Sequence, residues 1–233
     1  MQYAGAGLGS MWFLIQGILL LLLYIFISEG LNSLRGNVQP GNNISYILTG
    51  VWFWIPIQEM LQKSTTILTE NRSIIKRSGI GISLFYYIPL LQMIVHFIIL
   101  SIPGLFYLIY VNSLSIKSIF IVPWMIFTGL FIYPVAKYCS MSNVLLKDIS
   151  PLVRLFLLFC FWTLPIIYII PQKFQHIVQF HPLLPFLEIF RFLLLPNYNY
   201  SINYIIFIAY SFILIIFFLN LERKFTKMIP DHI

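Results

Sequence analysis

No charged side chain occurs between Arg77 and Lys117, and within that stretch Leu84–Ile109 is apolar apart from a few isolated residues. About 20 apolar residues suffice for a helix to cross a hydrocarbon layer of about 30 Å. Inside lipid, backbone N–H and C=O groups must be satisfied within the spanning structure, which leaves helices and closed barrels. Composition extends the constraint to the whole chain. Of its 233 residues 60% are apolar and 9% charged, where soluble domains run near 45–50% and about 25%. Those fractions exclude a soluble globular domain, and also a disordered chain, which needs low hydrophobicity and high charge. A barrel would alternate apolar and polar residues and show no long apolar runs. The chain is read as an all-α, polytopic membrane protein.

Six spans are predicted: Gly9–Ser28, Tyr46–Leu61, Leu84–Ile109, Ile119–Ala136, Leu152–Ile170 and Ile202–Leu219. Pro56, Pro89, Pro103 and Pro165 fall inside or near the ends of three of them. The first run lacks the basic flank and small-residue cleavage site of a signal peptide and is read as retained. Residues 1–233 then form one transmembrane domain. It has an inner polar segment at 62–83, an outer segment at 171–196 and a charged tail at 220–233.

Orientation follows from where the basic residues fall. With both termini in the cytoplasm, Lys63, Arg72, Lys76, Arg77, Lys137, Lys147, Arg154, Arg223, Lys224 and Lys227 lie inside. Arg35, Lys117, Lys173 and Arg191 lie outside, and the ten and four together make up the 14 basic residues. The net charge of +7 is mostly this inner excess and is no sign of a nucleic-acid partner.

Three segments depart from simple spans. In 62–78 and just before it, Met60/Leu61, Ile67/Leu68 and Ile74/Ile75 recur every seven residues, one stripe of an amphipathic cytoplasmic helix. Such a helix suits either the headgroup region or a cytoplasmic partner. Residues 171–196 hold two apolar pieces on either side of His181-Pro182, each too short to cross, which predicts an outer re-entrant hairpin. Glu188 and Arg191, three apart, are placed to pair on one face of it. In the tail, Leu221, Phe225, Met228 and Ile229 continue an apolar helical face.

Chemical motifs are absent. No GxxxxGK[ST], HExxH or GxSxG occurs. No two of His96, His176, His181 and His232 have metal-ligand spacing, so no metal is expected. Cys139 and Cys160 form no CxxC and are read as small buried residues. His96, mid-span, is read as a hydrogen-bonded packing residue, and Glu59 is placed near the inner end of the second span. No catalytic residue is expected.

Several short motifs, in order and spacing, resemble the membrane subunit of ABC-2 type exporters that move polysaccharides such as O-antigen or capsule. The opening Tyr3-Ala-Gly-Ala-Gly-Leu8-Gly9-Ser-Met-Trp12 is similar to the family's Tyr followed by Leu-Gly-x-x-Trp. Gly50-Val-Trp-Phe-Trp54 is similar to its Gly-x-x-x-Trp/Phe, and Asn71-Arg-Ser-Ile-Ile-Lys76 to its cytoplasmic Asn-containing segment. Lys147-Asp148-Ile149, Thr163-Leu-Pro165-Ile-Ile-Tyr168 and His181-Pro182 followed by Glu188 and Arg191 resemble later family motifs. Lys147 stands where the family usually has Arg, and His181 where it has Asn. Family members also carry a basic amphipathic helix ahead of the position of Tyr3.

The resemblance implies a permease without its own ATPase: a homodimer of membrane subunits with two separate ATPase subunits, which use ATP and Mg. Glu70, Asn71, Arg72 and Lys76 would form the ATPase contact. The first and fifth spans would line the conduit, with Trp12, Tyr24, Phe156, Phe159, Trp162 and Tyr168 as rings against sugar faces. The setting would be the cell inner membrane, with a glycan or lipid-linked glycan as cargo. Two other readings stay open from the residues themselves: an exporter of a small hydrophobic molecule on the same fold, and a polytopic membrane transferase.

Overall fold

The computed structural model describes residues 19, 40–78, 82–168, 178–196, 198, 212–213 and 216–220. Six α-helices have both ends within these segments: α1 (Pro40–Glu70), α2 (Arg72–Ser78), α3 (Ser83–Tyr110), α4 (Ile121–Leu145), α5 (Ile149–Thr163) and α6 (Leu184–Leu194); residues 216–220 are helical as well. A short 3-10 turn, Ile116–Phe120, leads into α4. The first and sixth predicted spans lie almost wholly outside the described residues.

Among the described residues, two helical stretches are long and apolar enough to cross a membrane, Ser83–Tyr110 and Ile116–Leu145. The third and fourth predicted spans coincide with them. Pro89 and Pro103 do not interrupt α3. In membrane helices the carbonyls freed by proline are re-satisfied locally, so proline is tolerated there.

α1 is the central element and packs against α3, α4, α5 and α6. The helix that holds the second predicted span continues without a break past Leu61 to Glu70. Gln62, Lys63, Ser64 and Thr65 were read as the start of a separate polar segment, yet Ser64 and Thr65 are fully buried. Their hydroxyls return to the carbonyls of Leu61 and Gln62 at 2.7 Å, so neither hydroxyl is left unsatisfied.

The register of α1 on α3 is antiparallel. Gly104 faces the Trp52 ring, Glu59 faces His96, and Ile67 and Leu68 cluster with Phe85 and Tyr86. At the Trp52 level the rings interlock. Trp52 stacks on Phe97 with centroids 5.8 Å apart and meets Phe190 edge-on at 5.5 Å. Lipid supplies little hydrophobic drive between helices, so close approach at small residues carries the packing. Gly104 against Trp52 and Gly129 against Met93 are two such approaches.

The fifth span is corrected. α5 has 15 residues and stops at Thr163, well short of Ile170. Pro165 disfavours helix in the residue before it, and Leu164 is extended at φ −80°, ψ 141°. α6 has 11 residues, about 16 Å at 1.5 Å per residue, too short to cross. It is nonetheless sunk in the bundle, with Phe186, Leu187, Phe190 and Leu194 all fully buried. Trp124 Nε1 donates to the Phe186 carbonyl at 3.0 Å, and Ser115 N–H donates to the Leu194 carbonyl at 2.8 Å. Residues 171–177, the other arm of the expected hairpin, lie outside the described residues.

Arg72, Lys76, Arg77 and Lys147 sit at the end of the bundle where α1 and α4 finish and α5 begins, and Lys117 sits at the opposite end. These are called the basic end and the far end below.

Candidate functional site

At the far end, three motif segments meet. Arg191 on α6 is wholly buried. Its Nη2 donates to the carbonyls of Tyr46 on α1 at 3.2 Å and Ile166 at 3.1 Å. The guanidinium carbon lies 3.5 Å from the centroid of the Tyr46 ring. A buried charge is costly unless hydrogen-bonded, and guanidinium tolerates burial through its planar donors and its stacking on aromatic faces. The Ile166 carbonyl is available because Leu164-Pro165 has ended α5. The Tyr46 hydroxyl donates to the Pro165 carbonyl at 3.1 Å, tying the same loop to α1. Room for this comes from Gly50, where a Cβ would stand 2.7 Å from Arg191 Nη2 and 2.6 Å from the Ile166 oxygen. Thus Gly50, Pro165–Tyr168 and Arg191 form one seat. Glu188 lies three positions before Arg191 on the same helix, half-buried.

At the basic end, the four expected coupling residues stand together at the turn between α1 and α2. Asn71 makes that turn. Its Nδ2 donates to the Ile67 carbonyl at 2.8 Å, and its own carbonyl accepts from the N–H groups of Ile74 and Ile75 at 3.0 Å each. Glu70 pairs with Lys63, one face back along α1. Burial pushes its carboxyl pKa up, but Lys63 and Thr66 outweigh this and the net shift is downward. Arg72 and Lys76 are exposed. The turn also breaks the predicted seven-residue stripe. Ile75 is buried while Ile74 is half exposed, because α2 starts a new helical register after Asn71.

Sequence reasoning missed the junction beside this turn. Thr65 Oγ1, which donates to the Gln62 carbonyl, is also hydrogen-bonded to Ser150 Oγ at 3.2 Å, and Ser150 N–H donates to Asn143 Oδ1 at 3.0 Å. The start of α5 is therefore capped from α4 by Asn143, while Asp148, at the usual capping position, makes no side-chain cap. A polar residue shortly before Lys147-Asp148 was the only available signal.

Sequence reasoning also missed that Glu59 and His96 pair with each other. They are 37 positions apart, and nothing in either local pattern links them. His96 is hydrogen-bonded, as expected. Glu59 is followed by eleven more helical residues of α1.

Of the expected conduit residues, Trp12 and Tyr24 lie outside the described residues. Phe156, Phe159 and Trp162 present their rings at the surface of α5, each about 60% exposed. Tyr168 is half-buried beyond the end of α5, and its hydroxyl donates to the Trp162 carbonyl. Cys160 is buried and Cys139 half-buried.

No family model matches the chain. Two proteins of Klebsiella pneumoniae, each called O-antigen export system permease protein RfbA, are similar to it. One is 26% identical over 239 residues, covering 98% of this chain and 90% of the relative. The other is 24% identical over the same span. The chain is a distant relative of these permeases along nearly its whole length, and they are of the kind to which its motifs point.

Proposed function

We propose that this chain is the permease subunit of an ATP-driven exporter that moves a polysaccharide or lipid-linked glycan outward across the cell inner membrane. The observation that carries the reading is the near full-length similarity to two O-antigen export permeases. The convergence of Gly50, Ile166 and Arg191 on one seat supports it, because three separate motif segments serve one contact.

In this reading two copies form a homodimer with six spans each, both termini cytoplasmic and the basic end inside. A separate ABC ATPase binds ATP and Mg. It meets the turn at Glu70, Asn71, Arg72 and Lys76. Asn71 fixes the direction in which α2 leaves α1, and Arg72 and Lys76 supply the charge that sets docking register. Movement imposed there reaches α5 through Thr65 and Ser150, and reaches α6 through α1 and the Arg191 seat. The exposed rings of Phe156, Phe159 and Trp162, with Tyr168, Trp12 and Tyr24, are the surface for sugar C–H faces. Glu188 and Arg191 hold the outer re-entrant segment.

The test is export in cells lacking the gene. Restored surface glycan on re-expression, co-purification of an ATPase subunit and no ATP hydrolysis by the chain alone are the expected results. ATP turnover by the lone chain, or unaltered surface glycan in the deletion, overturns the reading.

A further inference from the structure

Among the described residues, the partly exposed face of α1 has the wrong chemistry for lipid. Beyond Ile55, the partly exposed positions include Gln58, Glu59, Gln62, Lys63 and Thr66, which fall on one helical stripe. All five are polar. The positions between them, such as Ile57, Met60 and Leu61, are buried. The neighbouring α3 is built the other way. Its outward stripe runs through Leu84, Leu91, Val95, Ile98, Ile102 and Phe106, each about half exposed or more. One of these faces suits hydrocarbon and the other does not.

Depth sharpens the contrast. The midpoint of the 28-residue α3 falls between His96 and Phe97. Its pairing with His96 therefore places Glu59 near the middle of the layer. From there the polar stripe descends to the basic end. Glu59 keeps 29% of its side chain exposed and His96 14%. Ionisable side chains at that depth face the bundle interior or a water-filled cavity, not lipid.

We infer that this stripe borders a water-filled vestibule, open at the basic end and closed near mid-layer by the Glu59–His96 pair, and that a hydroxyl-rich cargo enters it. Amide, carboxylate and hydroxyl groups at helical spacing are donors and acceptors suited to sugar hydroxyls. The cargo rests on the exporter reading; the vestibule itself does not.

The test uses the full complex with its ATPase in inside-out membrane vesicles, with Cys139→Ser and Cys160→Ala as background. A membrane-impermeant methanethiosulfonate carrying a sulfonate is added to four single-cysteine variants. Gln62→Cys and Thr66→Cys should react at least tenfold faster than Val95→Cys and Ile102→Cys, with Lys147→Cys as the exposed reference. Equal, slow reaction at all four positions while Lys147→Cys reacts overturns the vestibule. Disulfide cross-linking of two copies through Gln62→Cys also overturns it, because a second copy would then cover the stripe. Gln62→Trp, which fills the space, should lower export at least tenfold at normal abundance and ATPase co-purification. Undiminished export by that variant overturns cargo entry along the stripe. Fast labelling in a complex that exports no glycan supports the vestibule and removes the glycan from the exporter reading.

Discussion

Gly50 and Arg191 share one volume: a Cβ on the glycine would come within 2.7 Å of the guanidinium nitrogen Nη2. The glycine on α1 is thus defined by a side chain 141 positions away. Its other near neighbour, the Ile166 oxygen, is backbone and cannot swing aside.

Gly50→Ala should therefore destabilise the protein by about 1–3 kcal/mol, the usual cost of overpacking. Gly129→Ala is the comparison. Its new Cβ would meet the side-chain ends of Met93 and Leu90, which can move, so a smaller loss is expected. Thermal unfolding of both variants in detergent checks the order, and equal losses would contradict the seat.

Arg191→Lys should fail to preserve the seat. An ammonium offers no planar fork and no comparable stacking on the Tyr46 ring. Loss of the bonds to the Tyr46 and Ile166 carbonyls should cost about 1–3 kcal/mol. Limited proteolysis near residues 164–170 should then quicken relative to wild type.

Reversing charge at the basic end, as Arg72→Glu with Lys76→Glu, should leave insertion intact, because both side chains are exposed. Export should fall to background and the ATPase should no longer co-purify. Lost headgroup attraction alone is worth only about 1 kcal/mol per basic residue and predicts a mild defect. ATPase pull-down at matched membrane abundance distinguishes the two.

Removing an acceptor should loosen the segment leading into α6. His181 Nδ1 accepts the Leu183 N–H at 3.2 Å. His181→Leu should lower the melting temperature in detergent, and His181→Asn, which keeps an acceptor able to reach the N–H two residues on, should lower it less. Equal losses would contradict this.

The sequence made α3 legible almost to the residue, Leu84–Ile109 against Ser83–Tyr110, because lipid contact forces a continuous apolar face. The length of α1 was not legible, because a polar run does not tell whether a helix stops or continues. Gln62–Glu70 continues it, and Ile67 and Leu68 on its buried side pack on Phe85, Tyr86 and Met141. That Glu70, Asn71, Arg72 and Lys76 stand together was legible because they are local to one turn. Glu59–His96 and Gly50–Arg191 were not, because each joins separate helices and local periodicity carries no record of a partner. Asn143 as the cap of α5 was hidden behind Asp148, whose position fits the ordinary capping pattern.

The unbroken course of α1 has a mechanical consequence. Its 31 residues make a rod about 46 Å long, with the Arg191 seat near one end and the Asn71 turn at the other. A push on that turn cannot be absorbed in a flexible joint between them, since no loop intervenes. The rod has one soft point, Pro56, whose missing N–H leaves the Trp52 carbonyl without its helical donor. Force applied at the basic end should therefore either tilt the whole rod and carry the seat with it, or bend it at the level where Trp52 meets Phe97 and Phe190.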